Sequence, residues 1–118
     1  MSINTLVDSS IWIDHFHKPN QKLITLLEHK EVLIHSAVLG ELAAGELKNR
    51  VKTISDLKQI PLVAEVLSIE VLEFIENKNL FGKGLSWVDI QILASCLVSN
   101  CYLFTNDKQL YSAFMQIK

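Results

Sequence analysis

Apolar residues along the chain fall into two rhythms that alternate. Short, mostly apolar segments, Ile3 to Val7, Val32-Leu33-Ile34 and Tyr102 to Thr105, have the length and the β-branched or aromatic content of buried strands. Between them lie stretches of helical spacing. A short helix opens at Ser10 with Ile11, Trp12, Ile13 and Phe16 apolar and stops at Pro19; a second runs from Asn20 to His29 on Leu23, Ile24, Leu26 and Leu27. Ser36 is positioned to cap a helix from Ala37 to about Arg50, with Val38, Leu39, Leu42 and Leu47 on its inner side. A more polar helix with Ile54 and Leu57 inward ends at Pro61, and Leu62 to Ala64 reads either as a third short strand or as continuing helix. A long amphipathic segment from Val66 to Ile75, a glycine-bearing loop over 77–84, and a last helix on Leu110, Tyr111, Phe114 and Ile117 complete the pattern.

One element breaks the rhythm. From Leu85 to Val98 the chain is apolar on nearly every side, as in a helix at the centre of a domain, with Ser86 able to cap it and Asp89 its one carboxylate. An isolated buried carboxylate is costly unless something cationic or hydrogen-bonding meets it. Asp89 is therefore expected to lie inside and to have partners.

Strands of four or five residues alternating with helices predict an α/β fold, with a short, mostly parallel central sheet covered on both faces by helices. At 118 residues, 49% of them apolar, the chain is expected to form a single domain over 1–118. A net charge of −2 does not announce nucleic-acid binding, so such a partner would need a local basic patch. No signal peptide precedes the first strand and no apolar run is long enough to cross a membrane, which points to a soluble cytoplasmic protein with no membrane partner. Cys96 and Cys101 sit in apolar company and read as buried free thiols. His15, His17, His29 and His35 have no ligand spacing and receive no role.

Asp8, Glu41, Asp89 and Asp107 share one property: each interrupts or ends a stretch that looks buried. Taken singly, each is better explained as a helix cap or as a complement to the helix dipole. Together, two acids at strand ends and two early in helices that pack on the sheet are able to converge, because parallel sheets place their sites beyond the carboxyl ends of the strands. Gly40 and Gly45 beside Glu41 suggest a close approach, since a helical glycine costs about 1 kcal/mol relative to alanine. Ser9, Ser10 and Thr105 are small hydroxyls suited to orienting carboxylates or waters.

Four acids without Lys or Arg between them repel one another, and a divalent cation resolves the conflict. Oxygen donors without His or Cys favour Mg²⁺ or Mn²⁺, and such ions promote phosphodiester hydrolysis. Two other acid-bearing α/β designs fit less well. A phospho-accepting receiver domain wants an adjacent acidic pair after the first strand, where Asp8 is followed by Ser9; a haloacid-dehalogenase-type phosphatase wants a second Asp two residues on, where Ser10 stands.

The segments Leu6-Val7-Asp8-Ser9-Ser10-Ile11-Trp12-Ile13, Val38-Leu39-Gly40-Glu41-Leu42-Ala43-Ala44-Gly45, Leu80-Phe81-Gly82-Lys83-Gly84-Leu85-Ser86-Trp87-Val88-Asp89 and Leu103-Phe104-Thr105-Asn106-Asp107 together resemble the PIN-domain signature, in the form found in VapC-type toxins of bacterial toxin-antitoxin pairs. The resemblance spans the chain and keeps the order of the motifs. It implies a three-layer α/β/α domain and a metal-dependent endoribonuclease in which Asp8, Glu41, Asp89 and Asp107 hold Mg²⁺ or Mn²⁺, with Thr105 beside them. It further implies a homodimer silenced by a small VapB-type antitoxin that blocks the acidic groove. Asn106 departs from the pattern, standing where relatives often carry a basic residue. Lys48, Arg50, Lys52, Lys83 and Lys108 are candidate contacts to RNA phosphates, and Trp12, Phe16 and Trp87 are aromatic residues whose simpler role is packing. The alternative on the same scaffold is a catalytically silent protein that binds RNA or a partner.

Overall fold

The computed structural model describes residues 4–118. Strand β1 (Thr5–Val7) is wholly buried, and its chain turns at once into helix α1 (Ser9–His17). The turn is made by Asp8, whose side chain accepts the Ser9 N–H; the helix thus starts one residue before Ser10, and Ile3 of the expected strand lies outside the described residues. Asn20 caps α2 (Gln21–Glu28), its side chain accepting the Leu23 N–H, and β2 (Val32–Leu33) follows. A full third strand does not form after Pro61. Instead Leu62 makes a single parallel bridge to Ile34, held by the Val63 N–H on the Ile34 carbonyl at 2.9 Å.

Helix α3 (Ser36–Ala44) corrects the expectation at both ends. Its cap is His35, whose buried Nδ1 accepts the Ala37 N–H at 3.0 Å, so a histidine given no role performs the task expected of Ser36. The helix stops at Gly45 and does not reach Arg50. Arg50 opens a separate helix, α4 (Arg50–Leu57), and its guanidinium donates back to the carbonyls of Ala43 and Gly45, satisfying the end of the helix it was expected to prolong. Nor does anything crowd Gly40, which is exposed with open space where a Cβ would stand. The amphipathic segment is helical as α5 only over Ser68–Asn77, and Leu67 before it is extended.

Helix α6 (Trp87–Ser99) supplies the centre of the core, with Ile90, Ile92, Leu93, Ala94, Ser95 and Cys96 buried. Asn100 in the left-handed conformation (φ 51°) ends it and turns the chain into β3 (Tyr102–Phe104); α7 (Lys108–Ile117) closes the described chain. Cys96 and Cys101 flank this turn as buried free thiols.

The sheet has strand order β2-β1-β3, all parallel, with Thr5 opposite both Val32 and Tyr102. Starting from β1 the chain moves first to one side, to β2, and then back across to β3. Right-handed crossovers in opposite directions lie on opposite faces. Helices α1 and α2 therefore cover one face while α6 and α7, which pack on each other, cover the second, giving the three-layer α/β/α arrangement. The reversal leaves a crevice between the carboxyl ends of β1 and β3, the place where open parallel sheets bind their ligands.

Candidate active site

The two strands beside the crevice end in similar sequences, Val7-Asp8-Ser9-Ser10 and Phe104-Thr105-Asn106-Asp107, and hydroxyl groups tie the two together. Asp8 is 6% exposed, and both carboxylate oxygens are engaged. Oδ1 accepts the Ser9 N–H at 2.7 Å; Oδ2 accepts the Ser10 hydroxyl at 2.9 Å and the Thr105 hydroxyl at 2.7 Å. Each of those hydroxyls receives a backbone N–H in turn, Ser10 from Asn106 and Thr105 from Asp107, both at 3.0 Å. Two relays of the form N–H to O–H to carboxylate thus aim peptide dipoles at Asp8 and fix the loop after β3 against the start of α1. Ser10 and Thr105 both hold Asp8 Oδ2 by their hydroxyls. Ser9 contributes chiefly its backbone, its hydroxyl lying at 3.4 Å from Oδ1.

Asp89 is not inside the core. It occupies the third position of α6, half-buried, and forms a reciprocal capping box with Ser86: the Ser86 N–H donates to Asp89 Oδ2 at 3.0 Å and the Asp89 N–H donates to Ser86 Oγ at 3.1 Å. The apolar run misleads because the carboxylate sits in the first turn, where the helix emerges at the rim of the sheet. The box holds one oxygen; the other has no hydrogen-bond partner among the described residues.

Glu41 is exposed on α3, which packs against α1. Partial burial raises its pKa above the usual carboxylate value, and the negative charges of Asp8 and Asp89 raise it further. Glu41 therefore feels the charge both of Asp8, just after β1, and of Asp89 on α6. Asp107 stands apart. It is exposed, caps α7 by accepting the Gln109 and Leu110 N–H groups on Oδ1 at 2.9 and 3.1 Å, and joins the cluster through its backbone N–H to Thr105. Gly84 brings the entry of α6 close to the same helix: its φ is +75°, and a Cβ there would meet the Gln109 amide at 3.0 Å. No cation answers these acids, since the single ion pair among the described residues is Lys52–Asp56 on α4. The donors are oxygens throughout, the set that suits a hard divalent ion. As they stand, no three of the His, Cys, Asp or Glu side chains among the described residues enclose a ready-made metal cage.

The candidate cations divide. Lys52 is paired with Asp56 and Arg50 is engaged on α3 carbonyls, whereas Lys48 borders a groove of about 500 Å³ that Glu41 also lines, with Ile13, Phe16 and Leu47 in its walls. Lys83 and Lys108 share a second shallow groove along α7, where Lys83 Nζ donates to Gln116 at 3.0 Å. Trp12 is buried in the core, while Phe16 and Trp87 are 36% and 41% exposed. Asp14, which has no site signature of its own in the sequence, also reaches the cluster: its Oδ2 accepts the Asn106 side-chain N–H at 2.6 Å. Its position one helical turn after Ser10 was the signal available, since residues four apart share a helix face.

A family model for the PIN domain matches residues 5–113. The chain is also 38% identical over 112 residues, 92% of its own length and 88% of the relative's, to Ribonuclease VapC32 of Mycobacterium tuberculosis (strain CDC 1551 / Oshkosh). The protein of the same name from strain ATCC 25618 / H37Rv matches to the same degree, 38% identity over 92% of this chain.

Proposed function

Because the chain belongs to the PIN-domain family, in its VapC-type branch, we propose that it is an endoribonuclease, the toxin of a toxin-antitoxin pair. The observation that carries the reading is the buried Asp8 carboxylate, held by Ser9, Ser10 and Thr105 at the switch of the sheet, in a chain whose relatives are named ribonucleases. Asp8, Asp89, Glu41 and Asp107 hold Mg²⁺ or Mn²⁺ in this proposal. A divalent ion bound there supplies positive charge for the scissile phosphate and lowers the pKa of an attacking water.

The protein's own part is positioning. Asp8 is held rigidly by Ser9, Ser10 and Thr105, and Asp89 is fixed by its box with Ser86, so two carboxylates keep their geometry before any ligand arrives. Glu41 is the adaptable member, exposed and with its proton affinity raised by the other two. In this reading water replaces the leaving oxygen at phosphorus: a P–O bond to water forms, the P–O bond to the departing nucleotide breaks, Glu41 accepts the water's proton, and the departing oxygen takes up a proton from solvent. Lys48, Lys83 and Lys108 contact the phosphates on either side, while Arg50 and Lys52, with partners of their own, contribute less.

Two partners belong to the same proposal. A small VapB-type antitoxin blocks the acidic crevice, with the apolar walls of the groove beside Glu41 as its footing. A second copy of the chain covers exposed apolar side chains such as Ile69 and Leu72 on α5, 65% and 51% exposed, forming a homodimer. No helix among the described residues is long and apolar enough to cross a membrane, and a cytoplasmic location is proposed with the toxin reading. One other reading on the same scaffold is a catalytically silent RNA or partner binder.

The deciding experiment is cleavage of cellular RNA with and without Mn²⁺ or Mg²⁺, comparing the native protein with Asp8→Asn and Asp89→Asn. Metal-dependent cleavage lost in both folded variants supports the nuclease. Cleavage that persists in both removes the carboxylate assignment, and no cleavage by any form leaves the silent binder as the better reading.

A further inference from the structure

The loop after β3 carries an amide whose orientation is fixed by a carboxylate. Asn106 is exposed, and α1 holds it twice: its backbone N–H donates to Ser10 Oγ at 3.0 Å and its side-chain Nδ2 donates to Asp14 Oδ2 at 2.6 Å. Ser10 and Asp14 are four residues apart in α1 and so lie on one face of it. The second bond decides which way the amide faces. An ionised carboxylate has no proton to give, so the amino end of Asn106 must turn to Asp14. The carbonyl oxygen, Oδ1, is then the end left over, and it has no hydrogen-bond partner among the described residues. The loop does not depend on this bond for its anchorage, because Thr105 on Asp8 and the Asn106 N–H on Ser10 already tie it to the start of α1. What the bond adds is the direction of the amide.

Oδ1 accepts and cannot donate. Phosphate oxygens, which also only accept, have no use for it; a group with a proton does. It stands beside the proposed site: the Ser10 hydroxyl that receives the Asn106 N–H donates in turn to Asp8 Oδ2 at 2.9 Å, and Thr105 and Asp107 flank Asn106 in the chain. RNA bound at the crevice brings two kinds of donor to such a place, the 2′-hydroxyl of the sugar and the exocyclic amino groups of the bases. We propose that Asn106 Oδ1 accepts a hydrogen bond from one of these donors on the nucleotide at the crevice, and that Asp14 is the positioning residue that keeps the acceptor facing it. The proposal rests on the ribonuclease reading and adds to it a means of selecting the substrate. Lysines hold phosphates whatever the sequence, whereas a fixed acceptor distinguishes RNA from DNA, or one base from another.

Fluorescence anisotropy tests it with three labelled decamers, oligo(C) RNA, oligo(C) DNA and oligo(U) RNA, in the presence of Ca²⁺, which takes the same oxygen donors as Mg²⁺. The RNA-to-DNA ratio reads the 2′-hydroxyl. The C-to-U ratio reads the amino group, which cytosine carries where uracil has a carbonyl oxygen. The native protein is expected to prefer oligo(C) RNA over one of the other two by roughly three- to tenfold, the worth of one neutral hydrogen bond. Asn106→Leu deletes the acceptor. Asp14→Lys brings an ammonium that only donates, so the tie to Asn106 survives with the amide reversed. Its added charge raises affinity for all three decamers and leaves their ratios alone. Both variants are expected to lose the preference while circular dichroism stays native. A tie with no part in direction predicts that Asp14→Lys keeps the preference, and that result overturns the proposal. So does a preference retained by Asn106→Leu, or a native protein that binds all three decamers alike. In each of these cases nucleic acid is still bound and the ribonuclease reading stands; binding of none of the three removes both.

Discussion

The junction after β1 and the junction after β3 are built alike: a parallel strand ends, an Asp caps the next helix, and small polar residues stand between or beside them. They differ in what surrounds the carboxylate. Asp8 is buried with both oxygens engaged by Ser9, Ser10 and Thr105, whereas Asp107 is exposed and uses one oxygen to cap α7. Traffic between them runs one way. The β3 loop lends Thr105 to Asp8 and the Asn106 N–H to Ser10, while nothing from the first junction reaches the Asp107 side chain. Asp8 is thus a fixed point around which the site is arranged, and Asp107 is a cap with an oxygen to spare.

The largest effect should come from removing the fixed charge. Asp8→Asn keeps a good helix cap, since Asn and Asp cap comparably, but exchanges an acceptor oxygen for an amide. RNA cleavage is expected to fall below detection while circular dichroism stays native. The same substitution at the other junction, Asp107→Asn, also keeps its cap and should lower activity far less, by roughly tenfold or under, as expected for a ligand at the margin of the cluster. Equal losses in the two variants would erase the distinction between the junctions. Between these extremes lies Thr105→Val, which deletes the hydroxyl linking them and leaves Asp8 Oδ2 one donor short. A loss of about 10–100-fold in cleavage or metal affinity is expected, the usual range for a group that orients a ligand. Titration with Mn²⁺ at fixed RNA concentration separates the two quantities.

How far the sequence disclosed this depends on range. The order of elements, the parallel sheet and the candidate acids were legible because strand runs and caps are local patterns. Asp8 and Asp107 were recognisable as strand-end acids, yet their inequality was not, because it rests on Thr105, whose contact with Asp8 spans 97 positions of the chain. Asp89 shows the opposite failure. Its apolar neighbours implied burial, but a helix enters the core gradually, and the third residue of α6 is still at the rim. The break after Gly45 was hidden for a related reason: Leu47 keeps the helical spacing, and the guanidinium that closes α3 comes from Arg50, beyond the break.

A smaller change should follow from Ser86→Ala, which removes half of the capping box. The expected cost is about 1 kcal/mol of stability, readable as a shift in the urea midpoint. Activity should fall modestly with it, because Asp89 loses the constraint on its backbone while its Oδ2 still receives the Ser86 N–H.

The subtlest test reads the two junctions through a third group. Glu41 binds its proton more tightly than an ordinary glutamate, from partial burial and from the charges of Asp8 and Asp89. In the metal-free protein, NMR titration of the Glu41 carboxyl should therefore show its pKa falling toward the ordinary value in Asp8→Asn and staying in place in Asp107→Asn. The sign carries through to stability. A carboxyl whose folded pKa lies above its unfolded value binds more protons in the folded state, so protonation of Glu41 favours folding as pH drops through the raised pKa, and its ionisation opposes folding at neutral pH. Asp8→Asn should reduce that contribution to the slope of stability against pH, and Asp107→Asn should leave it unchanged. If the Asp107 variant moved Glu41 as far as the Asp8 variant does, Asp107 would belong to the charge cluster on equal terms and the two junctions would not be functionally distinct.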